Sequence, residues 1–305
     1  MYDYKLLEAL AMVVQEGGFE RAARALHITQ SAISQRVKLL EEELGQILVI
    51  RASPPTATPA GVALIRHYRQ VALLERGLVS ELALEQASSR SSLRLAVNAD
   101  SLSTWFIEAI TPFMKRESVL LDLRVDDEER THRLLRDGEV IGCISSRPGA
   151  MQGCRVEPLG RMRYRLLATP EFADRRFPDG LTLESVTAAP LLVFNRKDAL
   201  HNRLLVAAVG CIPAAAPLHY VPSPEQCCAV IRAGLACGML SDVQSRALLE
   251  AGALVDLAPS LFVDVHLYWH CWNLDSPLLK RLTQTLAGNA AQLLASDQSG
   301  SSHSS

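Results

Sequence analysis

The sequence predicts an α+β multidomain chain: an N-terminal winged helix-turn-helix, a long linker helix and a C-terminal α/β domain. Three observations predict it. Residues 19–51 hold two short amphipathic helical patterns, a tight turn between them and an apolar wing after them. Residues 59–86 hold a single helical pattern, roughly 40 Å long at about 1.5 Å per residue, too long for an ordinary single-domain helix. From Leu93 onward, short apolar runs alternate with helical patterns, which signals an α/β domain.

In the first segment Phe19, Ala22, Ala23 and Leu26 recur at helical spacing, and so do Ile33, Val37, Leu40 and Leu44. Each helix therefore has one apolar stripe, and the two stripes can be buried against each other. The small Ala22 and Ala23 allow a close approach. His27-Ile28-Thr29-Gln30 breaks the first pattern, and Thr29 is a natural N-cap for the second helix. Gln30, Ser31, Ser34 and Gln35 then lie at the start of that helix, off its core stripe. Helix-turn-helix proteins read base edges with this part of the second helix. Short hydroxyl and amide side chains suit the position, because they donate and accept without holding the backbone away.

Four basic residues (Arg21, Arg24, Arg36 and Lys38) and no acidic ones lie between Arg21 and Lys38. Such a local field suits phosphate contact, where counterion release supplies much of the affinity. The run Glu41-Glu42-Glu43 follows at once, so the positive charge is placed and not diffuse. The candidate DNA contacts are Arg21, Thr29, Gln30, Ser31, Ser34, Gln35, Arg36, Lys38 and, at the end of the wing, Arg51. An ordinary helical hairpin with a solvated basic face would share the periodicity but not this placement.

Thr58-Pro59-Ala60-Gly61 reads as an N-cap followed by proline at the first helical position. Along the helix that follows, Leu64, Val71, Leu74, Leu78 and Leu82 form a near-heptad stripe. On an isolated connector such a stripe must be buried against something. The same helix of a second subunit is the expected partner, and the chain's own C-terminal domain is the alternative. A dimer would set two recognition helices about one DNA turn apart, or a multiple of it. Ala87-Ser88-Ser89-Arg90-Ser91-Ser92 reads as a flexible exit.

The α/β part begins with a strand over 93–97, a helix over 102–115, a strand over 119–125, a helix over 129–137 and a strand over 140–145. A second run starts near Tyr164 and includes strands at 166–168, 191–194 and 238–240. A returning strand at 267–269 and a closing helix over 277–294 complete it. Ligands of open α/β sheets bind beyond the carboxyl ends of the strands. Those ends offer Asn98, Asp100, Ser101 and Ser103, then Asp127, then Ser145 and Arg147, and in the second run Asn195 and Ser223. Glu128 and Glu129, just before a helix, are read as complements to its dipole.

Composition narrows the classes. With 49% hydrophobic residues and a net charge of −2, the 305-residue chain can build two or three cores and carries no global basic excess. None is required when the basic residues sit on one face. No signal peptide and no run of about 20 apolar residues is present, so a cytoplasmic protein without a membrane partner is expected. The seven cysteines form no CxxC pair and are odd in number, which suggests neither a zinc site nor a disulfide framework. Cys227 and Cys228 invite a redox reading, but adjacent residues make a strained pair and lone cysteines are usually small buried hydrophobes. There is no GxSxG elbow, phosphate loop or HExxH motif, so neither an enzyme nor a metal or cofactor is expected. A periplasmic solute-binding protein would lack residues 1–60 and carry a signal peptide.

Ala22-Ala23, Leu26, Gln30-Ser31-Ala32, Ser34, Leu40-Glu41 and Leu44-Gly45, with Arg51 ending the wing, resemble the N-terminal signature of LysR-type transcriptional regulators. The match is specific because it combines many positions in fixed order. GFERAARALHITQSAISQR, GQILVIRASPP and AVNADSLSTWF resemble the ArgP/LysG branch of that family, also described as an inhibitor of chromosome replication initiation. The resemblance runs from about Tyr4 to about Leu294. One departure is Leu48-Val49, where the family usually has Leu-Phe; altered packing is expected there, not lost function.

The resemblance implies a DNA-binding domain over 1–58, a dimerisation helix over 59–90 and an effector domain over 91–305, two-lobed like the periplasmic binding proteins. Lobe I would span about 91–161 and 266–296, lobe II about 162–265, and the Ser-rich tail 297–305 is expected to be disordered. It implies a double-stranded operator and a small-molecule effector as partners, a homodimer or tetramer, and RNA polymerase as a further candidate partner. The implied effector is lysine or arginine, and the implied targets are genes of amino-acid export or metabolism. Such an effector needs carboxylates for its two cations and donors for its own carboxylate. Asp100 and the acidic cluster at 126–129 could meet the first need, Ser101 and Ser103 the second. Arg147 could instead hold a carboxylate, so another small effector stays open, as does an effector-independent origin or nucleoid binder.

Overall fold

The structure, a computed structural model, describes residues 2–81, 91–117, 119–126, 128–213 and 215–295. The stripes read in the sequence build its first unit. Helix α1 (Tyr4–Gln15) is capped by Asp3, whose carboxylate accepts from the Lys5 amide at 2.8 Å. Helices α2 (Phe19–Ala25) and α3 (Gln30–Leu44) cross it, and Leu7, Leu10, Val13, Ala22, Ile33, Val37 and Leu40 are buried between them. His27 closes α2 in the left-handed region (φ 53°), and Thr29 opens α3 by accepting from the Ala32 amide at 3.2 Å. The wing strands β1 (Val49–Ile50) and β2 (Thr56–Ala57) pair antiparallel. Glu41 holds the wing's root, accepting from the Leu48 and Val49 amides at 2.7 and 3.2 Å. Val49 is buried, so the aliphatic departure in the wing still fills a core position. Helix α4 (Pro59–Glu81) starts at Thr58, whose hydroxyl accepts from the Gly61 amide and donates to the Ile47 carbonyl.

The α/β part opens with β3 (Ser91–Val97), α5 (Ala99–Ser103), α6 (Phe106–Arg116), β4 (Val119–Val125), α7 (Glu128–Arg136) and β5 (Gly142–Ser145). It continues through β6 (Cys154–Ala168), α8 (Pro170–Arg176), α9 (Leu183–Ala188), β7 (Leu191–Val193), α10 (Leu200–Val209) and β8 (Leu218–Tyr220). Then come α11 (Pro224–Arg232), β9 (Cys237–Ser241), α12 (Asp242–Glu250), β10 (Val255–Asp256), β11 (Val263–Trp272) and α13 (Pro277–Ala295). The sheet runs β4-β3-β5-β11-β6-β9-β7-β8, with β10 beside β6. The parallel group β3, β4 and β5 makes one half, and the parallel group β7, β8 and β9 the other. The antiparallel pair β6 and β11 crosses between them.

Two elements differ from the sequence expectation. The helix expected over 102–115 is two, broken at Thr104–Trp105, and the break buries the Trp105 ring at 1% exposure. The strands expected at 166–168 and 267–269 are the end of one long crossing of 15 residues and the middle of another of 10. Arginines hid the longer one. Arg161 and Arg163 pair with Asp264 at 2.7 and 2.8 Å, and Arg165 pairs with Asp242 and Asp256 at 2.8 and 3.1 Å. A strand whose polar positions are filled by paired arginines reads as loop when the partners, distant in sequence, are unseen.

The linker helix does not stand alone. Leu64 packs on the N-terminal core, and Leu73 is buried in the core of the α/β part. Arg66 donates to the Arg136 carbonyl at 3.1 Å and Arg69 to the Gly138 carbonyl at 2.8 Å, where α7 ends. Cations suit the negative end of a helix and satisfy its last carbonyls. Gly138 (φ 76°) makes the approach possible, since a Cβ there would lie 2.8 Å from the Arg66 side chain. Of the stripe read as a dimer seam, Val71 is half-buried and Leu74 exposed. The Leu78 side chain and all of Leu82 fall outside the described residues. Among the described residues no helix is long and apolar enough to cross a membrane.

Candidate DNA interface and effector cleft

In the first turns of α3, Gln30, Ser31 and Gln35 are exposed and Ser34 and Arg36 half-buried. A surface concavity of about 550 Å³ runs between α2, α3 and the wing, with Arg21, Arg24, Gln30, Ser34 and Arg51 on its walls. The Arg51 guanidinium lies 5.6 Å from the centre of the Phe19 ring. Thr29 serves as the cap of α3 and bonds the Ser31 hydroxyl at 3.0 Å. Arg21 donates to the Glu16 and Gly17 carbonyls, so it braces the turn between α1 and α2. Its sequence position gave no sign of this. Arg24 and Lys38 form exposed pairs with Glu20 and Glu42, at 3.7 and 3.3 Å. Pairs of this kind are worth only about 0.3–0.5 kcal/mol, so a phosphate can displace either acid.

The second site lies where the parallel strands end. The segments after β3, β4, β5, β7 and β8 meet at a cleft of about 650 Å³, flanked by the crossing strands. Asn98, Asp100, Ser145 and Asn195 of the expected residues line it, joined by Asp126, Ser146, Tyr164, Lys197, Asp198 and Arg203. Tyr164 donates to Asp100 at 2.8 Å. Burial pushes the Tyr164 hydroxyl well above its ordinary value, so it keeps its proton and acts as donor. Burial also raises the Asp100 carboxyl above its usual range; the Tyr164 bond opposes this, and the charges of Asp198 and Glu225 add to it. Asn195 builds the opposite wall, its side-chain oxygen accepting from the Lys197 and Asp198 amides at 2.8 and 3.1 Å. The Asn98 side-chain oxygen is buried without a hydrogen-bond partner.

Other expected residues are turned elsewhere. Ser101 is buried against Met162, and Ser103 donates to the Asp100 carbonyl at 3.1 Å. Arg147 lies off the cleft; its amide donates to the Ser145 hydroxyl, and its carbonyl bonds His270 at 2.8 Å. Ser223 caps α11 and bonds Glu225 at 2.8 Å. Asp127 falls outside the described residues. Asp198 sat within a strand-end segment and could have been found there. Tyr164 could not, because it projects from the middle of a crossing strand.

Residues 4–62 match the family described as bacterial regulatory helix-turn-helix protein, lysR family, and residues 86–291 match the LysR substrate binding domain. The chain belongs to the LysR family of transcriptional regulators. This LysR-type regulator is 43% identical to the HTH-type transcriptional regulator ArgP of Aeromonas salmonicida, over 96% of this chain and 98% of that protein. Its fold is similar to the crystal structure of ArgP from Mycobacterium tuberculosis, with a TM-score of 0.85 and 41% identity over 95% and 98% of the two chains. It is also similar to full-length LysG from Corynebacterium glutamicum with bound effector Arg, with a TM-score of 0.77 and 36% identity over 95% and 99%. As a LysR-type regulator it binds DNA under the control of a small effector, and it is not an enzyme. The adjacent thiols Cys227 and Cys228 are poor candidates for redox sensing, since burial raises both, Cys227 up to about 11.

Proposed function

We propose that the effector is a basic amino acid, arginine or lysine, and that its capture between the lobes resets operator binding at genes of amino-acid export or metabolism. The carrying observation is that Asp100 and Asp198, from the two opposite walls, face the same end of the cleft, with no salt bridge reaching either among the described residues. The arginine bound to the similar LysG of C. glutamicum supports the same class. The reader is residues 1–58, the linker 59–90 and the sensor 91–305, working in the cytoplasm as a dimer or tetramer with RNA polymerase as a further partner. Gln30, Ser31, Ser34, Gln35 and Arg36 face the bases or their edges, while Lys38 and Arg51 contact phosphates. A ligand shifts the operator-binding equilibrium only by its differential affinity for the two states. Footprinting of DNA upstream of amino-acid export or metabolism genes, with and without each amino acid, tests the reading. The expected outcome is a change in footprint with arginine or lysine, and weakened operator binding with unchanged arginine binding for Ser34→Ala and Arg36→Ala. A footprint and a melting temperature indifferent to both amino acids would leave an effector-independent DNA binder.

A further inference from the structure

The cleft is electrically asymmetric. At its mouth stand Lys197 and Arg203, both exposed, while Asp126, a further carboxylate of the lining, is paired with Arg130 at 2.9 Å. At its inner end stand Asp100 and Asp198, and past them opens a chamber of about 30 Å³ walled in part by Tyr164, His201 and Gln244. That is room for about one water-sized group. No arginine or lysine is among the described residues lining it. Asp198 is fixed in place, its two oxygens accepting from the Leu200 and Phe194 amides at 3.0 and 3.2 Å. His201 is only 8% exposed, and its Nδ1 is buried with no hydrogen-bond partner. Burial lowers its pKa, so the ring is neutral and does not itself neutralise the carboxylates. Gln244 donates its amide to the Pro224 carbonyl at 2.7 Å, which leaves its side-chain oxygen as an acceptor.

Resting on the reading of the effector as a basic amino acid, we infer that it enters side chain first. Its terminal cation lies against Asp100 and Asp198, its α-carboxylate faces Lys197 and Arg203, and His201 and Gln244 read the shape of the cation. The opposite orientation would set the α-carboxylate beside two carboxylates and the side-chain cation beside two basic residues, both repulsive. The far wall then favours arginine over lysine. A guanidinium spreads five N–H donors in a plane, enough to reach two carboxylates and a further acceptor. An ammonium is a compact charge that the carboxylates alone satisfy.

Calorimetry on the full-length protein with arginine, lysine, agmatine (no carboxylate) and citrulline (neutral side chain) tests the orientation. Citrulline is expected to bind at least about tenfold more weakly than arginine. Asp100→Asn is expected to weaken arginine and agmatine by the same factor. The double variant Lys197→Ala/Arg203→Ala is expected to weaken arginine while leaving agmatine unchanged, and His201→Gln to narrow the preference for arginine over lysine. Operator binding without effector checks the fold of each variant; should Asp100→Asn fail that check, agmatine on the Lys197/Arg203 double variant still decides. Equal losses of arginine and agmatine in that double variant, or citrulline as tight as arginine, overturn the orientation. If the unmodified protein binds neither arginine nor lysine, the basic-amino-acid reading falls and takes the orientation with it. If it binds arginine but the variants come out reversed, only the orientation falls.

Discussion

Asp100 concentrates the chemistry of the sensor in one proton. Its carboxyl is raised above the ordinary value of 3.8, chiefly by burial. Between the ordinary and the raised value, the empty folded chain keeps a proton that the unfolded chain has released. Stability of the empty protein therefore falls as pH rises through that window. A bound cation favours the carboxylate, so binding expels the proton and affinity climbs with pH over the same window. Arginine affinity measured from acidic to neutral pH is expected to rise, with proton release visible as buffer-dependent heat, and Asp100→Asn is expected to flatten the profile. A flat profile in the unmodified protein would sink this account. At this scale the sequence was readable where a residue acts through its neighbours, as Thr29 does in capping α3. It was silent where the partner is a backbone atom of another element, as for Arg21 on Glu16 and Gly17.

Elements show the same division. Helices with one apolar stripe were placed correctly because their periodicity is local, and so was the start of α4 at Thr58. The crossing strands were cut short because their polar positions carry arginines whose acids lie on other elements. The joint between wing and linker depends on contact that no local pattern records. A Cβ on Gly61 would lie 2.2 Å from the Leu48 carbonyl oxygen, a backbone atom that cannot step aside without moving the wing. Gly61→Ala is therefore expected to cost about 1–3 kcal/mol in urea unfolding, the range of overpacking. It is also expected to weaken operator binding, since Arg51 moves with the wing. An alanine variant that matches the parent in both measurements would show that the joint is slack.

At the scale of the whole molecule, the alternation of strands and helices announced an α/β part, but periodicity alone did not reveal how its halves are joined. Both crossings belong to one hydrogen-bonded ladder, from Val263 opposite Tyr164 to Trp272 opposite Cys154. Its register slips at Leu267 and Tyr268, opposite Gly160 (φ 136°). A bulge at such a place bends and twists the ladder where one half gives way to the other. The cleft sits against this crossing, with Val265 and Leu267 on its floor. Under the proposed closure of the halves on an effector, the load falls on β11, the strand that carries the core tryptophans Trp269 and Trp272.

The docking of Arg66 and Arg69 on the end of α7, with Leu73 buried in the α/β core, has a practical meaning for anyone building sensors from these parts. The helix has two owners, so the seam for a hybrid protein matters. A foreign DNA-reading head joined at Thr58–Pro59 keeps both arginines with the carbonyls they hold and is expected to give a reporter that still answers to arginine. A head joined at Glu81 brings a stranger's helix to Gly138, and its reporter is expected to occupy DNA and bind arginine without connecting the two. Reporter output from the two hybrids, side by side, measures how far the chain is modular.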